Sequence, residues 1–389
     1  MRSAYEFGSL STPKENQQLG ALLSQCFNAP LNYWSLYFSH IGFENFRVIR
    51  HAGQIIGGLG IYQMGQWFGG ESVPTAGLAA VGIAPEHRGK GVAVELLSHT
   101  LKELSYQGIP LSTLYASTQR VYRKVGYEQA GVRCRLELPT EGIGMSERTQ
   151  PMHPVASVCQ EVFESLYRQQ ARQTNGNLER NQAIWGQVVQ PPNAEVVYAY
   201  LVGEQSQPQG YIIFTQGQES QMVIRDWAAL TPGAAQRLWT FLADQSSMLK
   251  KVLWHGSTLD PLLLLLPEQN YQVTRLEHWL MRVVDVPKAL SMRGYPIGVE
   301  AELHLAVQDE LLYENNDRFV LIVSEGKGEV TRGGRGDLQL DVRGLAPLYT
   351  GLFTPQQLQF TGDIEATDDA LATAAQLFVG AQPWMPDFF

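Results

Sequence analysis

The run Val81-Gly82-Ile83-Ala84-Pro85-Glu86-His87-Arg88-Gly89-Lys90-Gly91-Val92-Ala93 sets an apolar strand, a glycine-rich turn and a helix start in immediate succession. Gly77 to Ile83 is short and partly β-branched, as a core strand should be, and Pro85 ends it because proline has no ladder donor. From Val92 onward Leu96, Leu97, Leu101 and Leu104 recur at helical spacing, so Gly89 and Gly91 stand where the backbone turns into a helix N-terminus. The unpaired N–H groups of such a terminus, reinforced by the helix dipole, favour a bound phosphate. The chemistry to expect is therefore the seating of a pyrophosphate on backbone amides.

The spacing differs from the phosphate loop of nucleoside triphosphatases and from the dinucleotide fingerprint. Arg88-x-x-Gly91-x-Ala93 after a strand instead resembles the R/Q-x-x-G-x-G/A signature of the GNAT acetyltransferases. That resemblance implies acetyl-coenzyme A as co-substrate, bound along Val81, Ile83, Arg88, Gly89, Gly91 and Ala93. Small residues at 89, 91 and 93 would let phosphates approach the backbone. A basic loop capping an ordinary helix is the competing reading of the same residues.

A second stretch follows. Leu111 to Ala116 reads as a strand and Gln119 to Lys124 as a short helix carrying Tyr122 ahead of Gly126-Tyr127. This is similar to the end of the GNAT core, where a tyrosine at the position of Tyr122 points its hydroxyl at the coenzyme sulfur. Tyr122 is thereby the candidate general acid; a half-buried packing tyrosine is the alternative. An amine attacking a thioester must lose a proton, its developing oxyanion must be held, and the leaving thiolate must be protonated. A backbone N–H at Val81 or Ile83 is placed for the oxyanion. His87, beside the turn, is one conceivable base.

The elements that must position these residues can be read along the chain. Pro13 to Phe27 and Asn32 to His40 are expected as amphipathic helices, Phe46 to Arg50 and Ile55 to Met64 as an antiparallel hairpin through Ala52-Gly53, then the strand, helix, strand and short helix already described. This is a mixed α/β domain over residues 1–140, and Thr140 to Pro154 reads as a linker. A second domain, 150–281, has a helix over Ser157 to Thr174, a strand-rich stretch over 195–227, a helix over Pro232 to Leu249 and a strand at Val252 to His255. It has no second glycine cradle, so no coenzyme site is expected there. In a third domain, 282–389, strand-like runs precede helices at Leu345 to Leu352 and Asp368 to Phe378, which suggests α+β packing.

The length of 389 residues favours two or three domains over one. The formal charge of −9 and the lack of a concentrated basic face argue against a nucleic-acid partner, and an acidic chain mildly attracts a cationic amine. No apolar run reaches membrane-spanning length, and with no visible signal peptide a cytoplasmic location is the default. Cys26, Cys134 and Cys159 lack metal-ligand spacing and read as reduced core thiols, so no metal is expected.

Taken together, the cradle, the Val121-Tyr122-x-x-x-Gly126-Tyr127 stretch, the segment Arg282 to Leu290 and the terminal Phe388-Phe389 resemble the Eis (enhanced intracellular survival) acetyltransferases over essentially the whole chain. That resemblance implies tandem GNAT folds, the second without a coenzyme site, followed by a sterol-carrier-protein-like α+β domain. It implies a homo-oligomer, often a hexamer, and acetyl transfer by direct attack to the amine of a small molecule or a lysine side chain. It also implies that the main-chain carboxylate of the last residue, here Phe389, is the general base. The chain departs from some relatives in following Arg88 with Gly89-Lys90 rather than with further arginines. Tyr33, Trp34, Trp67 and Phe68 are candidate walls for the acceptor. The competing function is a non-catalytic protein that binds acyl-coenzyme A or lipid through the last domain.

Overall fold

Helix α1 (Pro13–Phe27) forms where Thr12 accepts a hydrogen bond from Glu15 N at 3.2 Å, Pro13 occupies the first turn and Asn28 closes the helix in the left-handed region at φ 52°. In this computed structural model, which describes residues 5–191, 196–217 and 220–389, the chain divides into two units. The first comprises the residues up to Gly131, Trp279–Ala381 and Phe389; the second comprises Val132–His278 and Gln382–Phe388. The start of the strand-rich stretch expected at residue 195 lies outside the described residues.

In the first unit β1 (Glu6–Ser9), β2 (Phe46–His51), β3 (Gln54–Phe68), β4 (Glu71–Ile83) and β5 (Leu111–Tyr115) are neighbours in that order, and Trp279–Val283 closes on β5. All pairings are antiparallel except β4 with β5. The parallel pair needs a crossover, supplied by α3 (Val92–Tyr106). Leu96, Leu97, Leu101 and Leu104 of α3 are fully or almost fully buried against this sheet, in one core with Ile49, Leu59, Leu78, Leu114 and Tyr127.

The two-helix start, the hairpin, α3, β5 and the short α4 (Gln119–Arg123) fall where the sequence pattern predicts them. Strand β4, however, begins six residues before Gly77. Glu71, Ser72 and Pro74 carry little strand preference of their own, and the long β3 recruits them as its partner from Phe68↔Glu71 onward. The last part of the unit begins with a helix, Val286–Met292, rather than with strands. Its five-stranded sheet runs Lys327–Arg332, Asp317–Ser324, Ala301–Gln308, Leu338–Asp341, Ile364–Ala366, with helices Val342–Thr350, Pro355–Thr361 and Asp368–Leu377.

In the second unit the order is Val132–Pro139, Lys251–Gly256, Gln221–Ala229, Gln207–Gly217, Val197–Glu204, Met152–Pro154. Helix Pro232–Ala243 crosses between the parallel strands at 221–229 and 251–256. Helix Gln182–Val189, capped by Asn181 accepting from Ile184 N at 2.9 Å, has no counterpart in the sequence reading. All three cysteines are free, but only Cys134 is a core thiol; Cys26 and Cys159 are half-exposed. Among the described residues no helix is long and apolar enough to cross a membrane.

Candidate active site

The turn after β4 leaves room for a ligand on its backbone. Gly89 and Gly91 have φ of 76° and 84°, a region that L side chains rarely adopt, and a Cβ built on either would meet no atom within 4 Å. Gly91 is the N-cap of α3 and contributes no side-chain cap, so the first N–H groups of a 15-residue helix face outward beside it. Ala93, in the first turn, is half-buried. The Arg88 guanidinium turns back: its Nε donates to Ile83 O at 3.0 Å and its Nη2 lies 3.3 Å from Cys26 Sγ. It orders the turn and adds positive charge, while the amides remain the open donors. A depression of about 390 Å³ continues from Gly91 along α3 past Ser98, His99 and Lys102 to Lys124.

Beside the turn, β4 and β5 pair only at Thr75↔Leu111, Ala76↔Ser112 and Gly77↔Thr113. Beyond Gly77 the parallel strands part, and ligands in α/β sheets bind where carboxyl ends of strands separate. A bulge sharpens the opening. Gly60 faces Ala79 and Gly58 faces Gly82, so Ala80 and Val81 together oppose Leu59, and Ala80 is forced to φ 51°. Ala84 N donates to Ile56 O on β3 at 2.9 Å. Strand alternation therefore turns the N–H of Ile83 to the β5 side.

Tyr122 sits on α4, almost fully buried in the core of α3, and stands edge-on to Tyr127 at 6.1 Å between ring centroids. Burial raises its phenol to a pKa of about 12, so it holds its proton at neutral pH. The turn after it is braced: Arg282 Nε donates to Val125 O at 3.0 Å, and Arg282 Nη2 pairs with Asp309 at 2.6 Å and 2.8 Å. Tyr127 Oη lies 2.6 Å from Ser112 Oγ on β5. The bracing by Arg282 and Asp309 has no local signal in the sequence, because the partners are far apart along the chain.

Phe389 belongs to the same unit as Tyr122 and the cradle and is 8% exposed. Its ring lies 5.7 Å from Tyr62 and 6.0 Å from Tyr115, the last residue of β5. Tyr62 in turn meets Tyr37, which meets Tyr33 and Trp34 on helix Leu31–Ile41. Of the other candidates, Phe68 is fully buried against Tyr349 and is core rather than a pocket wall. His87 faces His51 at 5.8 Å instead of the terminal residue.

Residues 9–130 match an acetyltransferase (GNAT) domain, residues 176–283 a second one, and residues 286–386 a sterol carrier protein domain. A GCN5-related N-acetyltransferase from Anabaena variabilis is 50% identical, with a TM-score of 0.96, covering 99% of this chain and 100% of its own. The chain belongs to the GCN5-related N-acetyltransferases. An uncharacterized N-acetyltransferase of Streptomyces griseus is 28% identical over 82% of this chain and 83% of its own length. The N-acetyltransferase Eis of Mycobacterium tuberculosis is 26% identical over 77% and 76%. Two GNAT domains followed by a sterol carrier protein domain make this an Eis-type enzyme, an acyltransferase.

The second GNAT fold shows the same parting of parallel strands, with pairs only from Gln221↔Lys251 to Val223↔Leu253. Here the strands and the crossing helix carry a tryptophan cluster in the hydrophobic core. Trp227, Trp239 and Trp254, all buried, meet edge-on or tilted at 5.2 Å to 5.9 Å. Among the described residues no group of three or more His, Cys, Asp or Glu side chains converges as a metal site.

Proposed function

We propose that this GNAT enzyme transfers the acetyl group of acetyl-coenzyme A directly to a primary amine, with the terminal carboxylate of Phe389 as general base and Tyr122 as general acid. The observation that carries the reading is the seating of Phe389 against Tyr115 at the end of β5 and over Gly77 of β4, the two strands that part there, with Tyr62 of β3 beside it. The pyrophosphate lies on the amides around Gly89 and Gly91, with Ala93 small enough to leave the approach open and Arg88 holding the turn. Residues 1–140 form the catalytic GNAT domain, to which the terminal carboxylate of Phe389 contributes the base; residues 150–281 have no coenzyme site; residues 282–389 form the sterol-carrier-like domain.

In the reaction the amine nitrogen, neutral once its ammonium form has released a proton to solvent, attacks the thioester carbonyl carbon, and the N–H of Ile83 or Val81 receives the developing oxyanion. The nitrogen gives a proton to the Phe389 carboxylate as the C–S bond breaks. The sulfur takes the Tyr122 proton, leaving free coenzyme A and the N-acetyl product. The proton on the carboxyl then returns to the phenolate through solvent. Aromatic rings at Tyr33, Trp34, Tyr37 and Tyr62 favour a cationic amine, small molecule or lysine, over an alcohol.

The experiment is a comparison of chain ends. One residue added after Phe389 displaces the charge and should abolish most turnover, whereas Phe389→Leu keeps it in place and should retain far more; both should bind acetyl-coenzyme A normally. A base must come within hydrogen-bond reach, and an error of about 1 Å can cost on the order of a hundredfold. A fully active extended chain beside an inactive His87→Ala variant would move the base to His87.

A further inference from the structure

Asp387 stands two residues before the terminal carboxylate and is 7% exposed. Its Oδ1 accepts from Arg180 Nε at 2.8 Å. Arg180 directs its other two nitrogens to Asp226 at 2.5 Å and 3.1 Å, and Tyr211 Oη donates to the same carboxylate at 2.6 Å. The guanidinium carbon lies 3.7 Å from the ring centre of Tyr167 and 4.8 Å from that of Trp185, two rings that meet edge-on. A planar fork committed to two carboxylates and packed on two rings has one orientation. All these groups lie in the second unit.

The backbone ahead of Asp387 is held as firmly. Val132 N donates to Pro383 O at 3.0 Å, and Met385 N to Val132 O at 3.3 Å. Asn177 Nδ2 reaches Trp384 O at 2.8 Å and Arg133 Nε reaches Pro386 O at 3.0 Å. Chain ends fray unless tied down. Here Gln382–Phe388 belongs to the second unit and the next residue, Phe389, to the first.

We propose that the grip of Arg180 on Asp387 is a clamp on the C-terminal strap, with Arg180 a positioning residue that sets where the terminal carboxylate stands. The two residues beyond Asp387 reach at most roughly 7 Å, so slack at Asp387 passes almost directly to the carboxylate. This rests on the reading of that carboxylate as the base.

The test is a double-mutant cycle in the full-length enzyme between Asp387→Asn and the one-residue extension, with kcat, acetyl-coenzyme A Kd and Tm measured for each. Asp387→Asn alone should lower kcat at least tenfold, leave Kd within about twofold and lower Tm. In the extended chain it should lower the residual turnover no further while still lowering Tm. Arg180→Lys, which keeps the charge and loses the fork, should follow the same kcat-against-Kd split. If Asp387→Asn does not fold, Asp387→Glu keeps the charge of the pair but lengthens it by one methylene, and should lower kcat at least tenfold with a smaller loss of Tm than Asp387→Asn. Wild-type kcat in Asp387→Asn or Asp387→Glu, or an equal fold loss in both backgrounds, overturns the clamp. A fully active extended chain instead removes the terminal base, and this inference with it.

Discussion

The ring of Phe389, the last residue, lies over Gly77 in β4 with so little room that a Cβ on Gly77 would stand 2.8 Å from Phe389 Cε2. Real Cβ contacts are not that short, so a side chain there must move the ring.

Gly77→Ala is therefore a steric test of the terminal residue that leaves the chain end itself unaltered. The added methyl also meets Met64 Cε at 2.8 Å, but a methionine end can swing aside and a wedged phenyl ring cannot do so as easily. Turnover should fall at least tenfold while the acetyl-coenzyme A Kd, measured by titration calorimetry, stays within about twofold. Unchanged turnover would mean that the ring's seat does not govern the carboxylate.

Tyr122→Phe keeps the buried ring and removes the proton donor. Turnover should drop roughly a hundredfold or more with little change in coenzyme binding or Tm. With the wild-type phenol raised to about 12, no loss of activity assignable to its ionisation should appear between pH 7 and 10. A near-normal rate with a good acceptor would place the acid elsewhere.

At Gly91 two substitutions separate backbone strain from charge. Its φ of 84° makes any side chain costly, on the order of 1 kcal/mol, although the space around it is open. Gly91→Ala should lose stability and bind acetyl-coenzyme A with modest loss. Gly91→Asp places a negative charge where the pyrophosphate sits and should weaken binding by a further tenfold or more. Equal affinities for the two variants would argue against phosphate at this turn.

His255 predicts an acid limit to stability. Burial, then the neighbouring Arg133, Arg135, Arg275 and Arg225, lowers its pKa to about 3. The folded chain keeps it neutral while the unfolded chain protonates it below about 6.5. The unfolded state then binds more protons, so stability is complete above about 6.5 and is lost as pH falls from there toward 3. The fall in Tm between pH 7 and 5 should be smaller in His255→Gln than in wild type.

Local signals carried the cradle. Two glycines that must take positive φ, a proline that ends a strand and leucines at helical spacing act within a few residues, so 81–104 is legible without its surroundings. The same holds for α1, whose cap and proline lie beside it. The early start of β4 at Glu71, the bulge at Ala80 and the strand Gln272–Val283 were not legible, because each is set by a partner strand and not by its own residues. Arg180, Asp226 and Asp387 are ordinary charged residues in the sequence; only the fold brings them into one buried cluster around a guanidinium. Likewise, an apolar tail predicts burial somewhere, but its place beside Gly77, Tyr62 and Tyr115 is decided by contacts more than two hundred residues apart along the chain, whose closure no local preference encodes.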